Sequence, residues 1–135
     1  MEGSTYYVTF RLLRGALSPD EVKMVLHHIK SGDTKFYWLL AATVMPDHTH
    51  LILRPREGWS LSRIMKGTKG VSSRLLNQSR NTQGSLWQEE SWDRIIRDEN
   101  EMLEKVNYMF MNAVKKGLVE NPNEYPGWYM NLKPT

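Results

Sequence analysis

A chain of 135 residues, 40% hydrophobic and 24% charged, is sized for a single domain over residues 1–135 with a core of its own. No apolar run reaches bilayer length and MEGSTYYVTF carries no secretory pattern, so no membrane association is expected. The lack of cysteine removes disulfides and thiolate metal sites and fits a cytoplasmic setting, and a formal net charge of +3 leans toward a polyanionic partner.

The first element is YYVTFRLL (Tyr6–Leu13), aromatic and β-branched, which predicts a strand. SPDE (Ser18–Glu21) is a helix start: Ser18 caps, Pro19 takes the first turn and Glu21 completes a capping box. That helix carries Val22, Val25, Leu26 and Ile29 at helical spacing and stops near Gly32. KFYWLLAATVM (Lys35–Met45) predicts a second strand. Pro46-Asp47 makes a tight turn, and HTHLILR (His48–Arg54) returns as a third strand, closing a hairpin.

A second helix is expected over Leu61–Asn77. Leu61, Ile64, Met65, Thr68, Val71, Leu75 and Leu76 share one face, and Arg63, Lys66, Lys69 and Arg74 lie mostly off it. Gly67 and Gly70 weaken its middle by about 1 kcal/mol each relative to alanine. SLWQEESWDRIIR (Ser85–Arg97) predicts one or two short strands. Asp98 caps a third helix with Glu101 as its capping-box partner, and Gly117 ends it. The turn-rich NPNEYPGWYMNLKPT is expected to wrap the surface. The order β-α-β-β-α-β-α is an α+β pattern built on an antiparallel sheet.

Two features carry chemistry. In VMPDHTHLIL, His48 and His50 alternate on a strand, so both project from one face, about 7 Å apart by the usual rise. Two imidazoles so placed can converge on one cation; equally, they can be strand-end residues, one hydrogen-bonded and one solvated. The adjacent pair His27-His28 points about 100° apart on a helix and reads as surface or packing. The third helix supplies the second feature. Met102, Leu103, Val106, Met109, Phe110, Ala113 and Val114 form an apolar stripe, and Tyr108 falls off it with Asn112 one turn below. Tyr108 is either a half-exposed aromatic or a phenol nucleophile with an amide oxygen within reach of the same cation.

These features together resemble the HUH single-strand nucleases, and more closely the Y1 tyrosine transposases of the IS200/IS605 type, nearest to the REP-associated tyrosine transposases. The similar stretches are YYVTFRL, VMPDHTHLILRP, LSRIMKGTKGVSSRLLN, LWQEESWDRIIRDENE and YMFMNAVKKGLVENPNEYP, in family order over nearly the whole chain. The resemblance implies a ferredoxin-like or RRM-like antiparallel sheet with helices packed on one face. It implies cleavage and rejoining of single-stranded DNA at hairpin-forming ends through a 5′-phosphotyrosine. Tyr108 resembles the nucleophile, His48 and His50 the metal-binding pair, and Asn112 the third ligand. The family commonly reads tyrosine, apolar, histidine, any, asparagine, proline where this chain has Tyr108-Met109-Phe110-Met111-Asn112-Ala113. Thr49 is polar where a hydrophobic residue is usual, and Glu89-Glu90 stand where relatives are often basic.

The implied cofactor is a divalent metal, Mg²⁺ or Mn²⁺ in use, with Zn²⁺ or Ni²⁺ as tighter ligands in vitro. Arg63, Lys66, Lys69, Arg74, Lys115 and Lys116 are the candidate phosphate contacts, each otherwise a solvated cation. A homodimer, with attack by Tyr108 in its own or its mate's site, stays open. So do two other readings: a non-catalytic single-strand-binding module in which Tyr6, Tyr7 or a tryptophan stacks bases, and a metal-dependent nuclease using water. Trp38, Trp59, Trp87, Trp92 and Trp128 are read as core and rim residues rather than stacking platforms.

Overall fold

The computed structural model describes residues 3–133. In chain order the elements are β1 (Thr5–Arg11), α1 (Pro19–Ser31), β2 (Tyr37–Val44), β3 (His48–Pro55), α2 (Leu61–Arg80), β4 (Trp92–Ile96), α3 (Glu99–Lys115), a 3-10 turn (Pro122–Glu124) and β5 (Trp128–Met130). The strands form one sheet in the order β4-β1-β3-β2-β5, with every neighbouring pair antiparallel.

Helix ends follow the local chemistry of the sequence. Ser18 Oγ accepts the Glu21 N–H and Glu21 Oε1 accepts the Ser18 N–H, the reciprocal capping box of α1. At α3, Asp98 accepts the Glu101 N–H as expected, but Glu101 turns its carboxylate to the Arg97 N–H and the Arg94 and Arg97 guanidinium groups. Gly117, at φ +73, closes α3 in a Schellman motif: its N–H donates to the Val114 carbonyl and that of Leu118 to Ala113. Helix α2 continues unbroken through Gly67 and Gly70, both exposed, to Arg80, one turn past the expected end. Asn81 stops it in the left-handed region at φ 56.

The sheet is covered on both faces, which is why β2 and β3 read as continuous apolar runs rather than alternating ones. On one face, Val8, Phe10, Leu51 and Leu53 pack with Val22, Val25 and Ile29 of α1 and Ile64 and Leu76 of α2. Burying each large side chain of this group contributes about 1.5–3 kcal/mol. On the other, Ala41 and Ile52 pack with Val106 and Met109 of α3. The α+β antiparallel class holds. Packing of helices on one face holds for α1 and α2, whereas α3 crosses the opposite face, because Ile52 and Ala41 alternate out of the first core and need a cover of their own.

The C-terminal segment does more than wrap the surface. Tyr125 Oη donates to the Val44 carbonyl at 2.5 Å, and Val44 N–H donates to Gly127. Gly127 leaves no room for a Cβ against the Val44 carbonyl, so the chain presses close enough for β5 to pair with β2. Three residues between turn-forming neighbours give too short a pattern to read as a strand.

Candidate active site

The site is built on the face that α3 crosses. Pro46-Asp47 close the β2–β3 turn, with Met45 N–H donating to the His48 carbonyl, so β3 begins on the first histidine. Alternation then sets His48, His50 and Ile52 on the α3 side and Thr49 and Leu51 on the other. The two imidazoles stand edge to face with centroids 4.7 Å apart, both buried. Both rings thus lie on the face that alternation assigns them.

Each imidazole is held from behind. His48 Nδ1 lies 2.7 Å from the Asp47 carboxylate. That contact, foremost, holds the Asp47 carboxyl below its ordinary range. His50 Nδ1 lies 2.9 Å from both Tyr7 Oη and Thr9 Oγ1, and Tyr7 stacks on the His50 ring at 5.6 Å. Burial, joined by the charges of His48, Arg11 and Lys105, pushes the His50 imidazolium down to about 3, so this ring is neutral at working pH. Burial also raises the Tyr7 phenol above its usual value, and neighbouring Tyr108 adds to the effect. The sequence pattern gives Thr9, Asp47, Arg11 and Lys105 no site role, and Tyr7 entered there only as a base-stacking alternative. Their signal is the pairing of β1 with β3, which sets Thr9 against His50 and Arg11 against His48.

Tyr108 reaches this pair from α3. Its ring centroid is 5.9 Å from that of His50 at 76°, and the residue is 47% exposed, so a solvent-facing phenol stands against the buried His50 ring. Lys115 Nζ lies 5.4 Å from the Tyr108 ring centroid and Lys105 Nζ 5.1 Å from that of Tyr7. Asn112, one turn below Tyr108, is buried and is the one polar residue in the buried set of α3. The sequence pattern set it on the polar side. The buried stripe is instead Val106, Met109, Asn112 and Ala113, while Leu103 is exposed, a rotation of the buried face toward the histidines. Phe110 packs on Trp128 with ring centroids 5.2 Å apart.

The candidate phosphate contacts divide. Lys115, the last residue of α3, reaches over the Tyr108 ring, and Lys116 caps the helix. Arg63, Lys66, Lys69 and Arg74 ride on α2, across the sheet from the histidines. Arg63 covers the Trp59 ring at 3.9 Å. Lys69 donates to the carbonyls of Gln88 and Glu89, which ties down the loop before β4 and spends part of its capacity on structure. Lys66 and Arg74 are exposed.

Whether these residues fit a metal ion is tested by their free donors. Among the described residues, His50 Nε2 is buried with no hydrogen-bond partner, an omission that costs about 1–3 kcal/mol unless a ligand takes it up. With the proton on Nδ1, donated to Tyr7 or Thr9, the Nε2 lone pair is free; the Asp47 carboxylate orders His48 the same way. Among the described residues no group of three or more His, Cys, Asp and Glu side chains could hold a metal ion. A cation here therefore needs the two imidazoles and a donor of another kind, a role an asparagine amide such as that of buried Asn112 could fill. The donor set fits a borderline-to-hard divalent ion.

Comparison with known proteins accords with this architecture. The family described as "Transposase IS200 like" matches residues 11–95, a segment that holds both histidines and ends before α3. The chain belongs to that family of transposases. It is 28% identical over 134 residues to the REP-associated tyrosine transposase of Escherichia coli, covering 93% of this chain and 76% of that protein. It is 26% identical over 97 residues to a candidate REP-associated tyrosine transposase of Haemophilus influenzae, covering 64% of this chain and 55% of that protein. The chain thus spans little more than half the length of the latter relative. In fold it is similar to a REP-associated tyrosine transposase solved bound to a REP hairpin, with a TM-score of 0.74, 21% identity, and coverage of 95% of this chain and 77% of that one. Among the described residues, no helix is long and apolar enough to cross a membrane.

Proposed function

We propose that this chain cuts and rejoins single-stranded DNA at hairpin-forming ends, with Tyr108 as nucleophile and His48, His50 and Asn112 as the ligands of a divalent metal, Mg²⁺ or Mn²⁺. The observation that carries the reading is the stance of Tyr108 over His50, whose buried Nε2 has no partner among the described residues. A family of transposases and a fold neighbour bound to a REP hairpin support the substrate class.

In the proposed step Tyr108 Oη attacks the scissile phosphorus. An O–P bond forms to tyrosine as the bond to the 3′ oxygen breaks. The phenol gives its proton to solvent, and the departing oxygen takes one to become a free 3′-hydroxyl. The 5′-phosphotyrosine keeps the phosphodiester energy, so attack by a 3′-hydroxyl reverses the step and rejoins a strand. A bound divalent ion would polarise the phosphate oxygen and help orient it. The chain's own groups do the rest. Tyr7, Thr9 and Asp47 fix the imidazoles, and Lys105, Lys115 and Arg11 bring positive charge to the rim where the phosphate must sit. Tyr108 lies over the histidines of its own chain, which favours attack within one subunit.

The test is incubation with hairpin-bearing single-stranded oligonucleotides and Mn²⁺, followed by a denaturing gel. A covalent protein–DNA adduct with a free 3′-hydroxyl fragment is expected. Tight binding without any adduct would leave the non-catalytic binding module; cleavage without adduct would leave the water-using nuclease.

A further inference from the structure

Trp92 is the most exposed of the large hydrophobic side chains among the described residues, at 74%. The other four tryptophans are engaged. Trp87 is buried against Phe10, Trp59 packs on Phe36, Trp128 on Phe110, and Trp38 lies under the Arg56 guanidinium. Trp92 has no such ring or cation partner among the described residues. Its place on β4 is not arbitrary. It pairs with Thr9, and Thr9 pairs with His50 on the next strand. Trp92, Thr9 and His50 therefore form one row across three strands, and paired residues project from the same face. At about 4.8 Å per strand, the Trp92 backbone lies about 10 Å from that of His50.

Helix α3 leaves this end of β4 open. Its first turn is anchored at the other end, where Glu101 pairs with Arg94 at 2.8 Å and Ile96 is buried. The helix then passes to His50, which Tyr108 covers. The exposed indole thus stands on the same sheet face as His50 and Tyr108, two strands from the histidine. Asp93, next to it in the chain, alternates to the other face, and Arg94 shares the Glu101 carboxylate with Arg97. Around His50, two strands away, the cations Arg11 and Lys105 add positive charge, and the Asp47 carboxylate is taken up by His48. A flat, exposed π-face beside a basic cleft is the arrangement that holds an unpaired nucleobase, since every base has a face to stack and the backbone follows the cations.

We infer that Trp92 is a stacking platform for an unpaired base of the DNA strand entering the cleft, and that it positions the scissile phosphate under Tyr108. The inference rests on the proposed function for the identity of the strand. It also revises the reading of this tryptophan as a rim residue.

The test uses Tyr108→Phe protein, so that binding is read without cleavage. The probe is a hairpin oligonucleotide with an unpaired arm on each side, alone and with an abasic site moved along each arm. The intact probe should quench tryptophan fluorescence, and Trp92→Phe should remove most of that quenching. Trp92→Ala should weaken binding about tenfold or more, and Trp92→Tyr should restore it to within about threefold. One abasic position should reproduce the tenfold loss in Trp92 protein and add nothing in Trp92→Ala. That scan on the intact residue decides the matter even if the alanine variant folds poorly. Unchanged quenching in Trp92→Phe, or an abasic scan with no position coupled to Trp92, would overturn the inference. If Trp92 couples to a base yet wild type never forms an adduct, the catalytic reading fails and the platform stands. If adducts form while Trp92→Ala keeps both wild-type affinity and KM, the platform fails and the catalytic reading stands.

Discussion

The Tyr108 ring stands 5.9 Å from the His50 ring at 76°, brought there by a helix that crosses one face of the sheet and a strand that lies in its middle. Tyr108 is 47% exposed and His50 is buried, so the pair joins a group free to meet a substrate to one sealed in the protein. That contrast separates what each residue does for stability from what it does for chemistry.

Tyr108→Phe should fold as wild type, because it removes one oxygen at a half-exposed position; its stability by denaturant titration should change by less than about 0.5 kcal/mol. It should bind hairpin DNA normally and form no covalent adduct. Asn112→Ala should differ in kind. The residue is buried, so some stability is lost, yet adducts should still form, slowly, and high Mn²⁺ should speed them. A phosphotyrosine adduct in Tyr108→Phe protein would move the nucleophile to another tyrosine.

The two hydroxyls on His50 Nδ1 test the metal reading from behind. Tyr7→Phe/Thr9→Val should leave both imidazoles in place but free the His50 ring to turn. Mn²⁺ affinity by calorimetry should fall by about 10- to 100-fold. His48→Ala/His50→Ala should abolish it. Unchanged affinity in the histidine double variant would place the metal elsewhere.

What could be read from the chain alone was what local chemistry decides. The Ser18 and Asp98 caps, the Gly117 stop and the alternation that sends His48 and His50 to one face all depend on neighbours within a few residues. What could not be read depends on pairing between distant strands. The contacts of Tyr7 and Thr9 with His50 follow from the β1–β3 register, and the place of Trp92 in the same row follows from β1–β4. No local pattern records either register. The side of the sheet taken by α3 was hidden for the same reason. Asn112 could be set beside Tyr108 by the helical period, but its burial required knowing what α3 covers.

Thr49 lies between the two histidines in sequence and on the opposite face, fully buried, and its hydroxyl has no partner among the described residues. A buried, unsatisfied hydroxyl destabilises the fold by about 1–3 kcal/mol. Thr49→Val keeps the shape and removes the oxygen, so it should raise stability by about 1 kcal/mol in urea titration while leaving adduct formation unchanged. A loss of stability would show that the hydroxyl has a partner, such as an ordered water.

Acid should loosen the contact between α1 and the end of α2. Arg80 donates to both Glu21 oxygens, and this pairing, foremost, holds the Glu21 carboxyl below its ordinary range. A depressed folded-state value means the contribution is present above the unfolded carboxylate range and is lost as pH falls through the folded value. Wild type should therefore lose stability more steeply than Glu21→Gln from about pH 4 downward, and the two should converge in strong acid. Parallel pH profiles would mean that Glu21 contributes nothing through its charge.

The basic residues of α2 face away from the histidines, so in the proposed reaction they do not touch the phosphate being cut, and any contact they make is with a more distant part of the DNA. Of these, Lys69 already donates to the Gln88 and Glu89 carbonyls, and Lys69→Ala should first loosen the loop before β4. Lys66 and Arg74 are exposed and are the cleaner tests. If each holds one phosphate of an unpaired segment, its alanine variant should weaken binding of all sequences alike. It should also lower the slope of log affinity against log salt by about 0.7. The rate of adduct formation at saturating DNA should not change, because the groups proposed to meet the scissile phosphate lie across the sheet. A fall in that rate with an unchanged salt slope would mean that α2 acts on the cleft through the sheet rather than on the DNA.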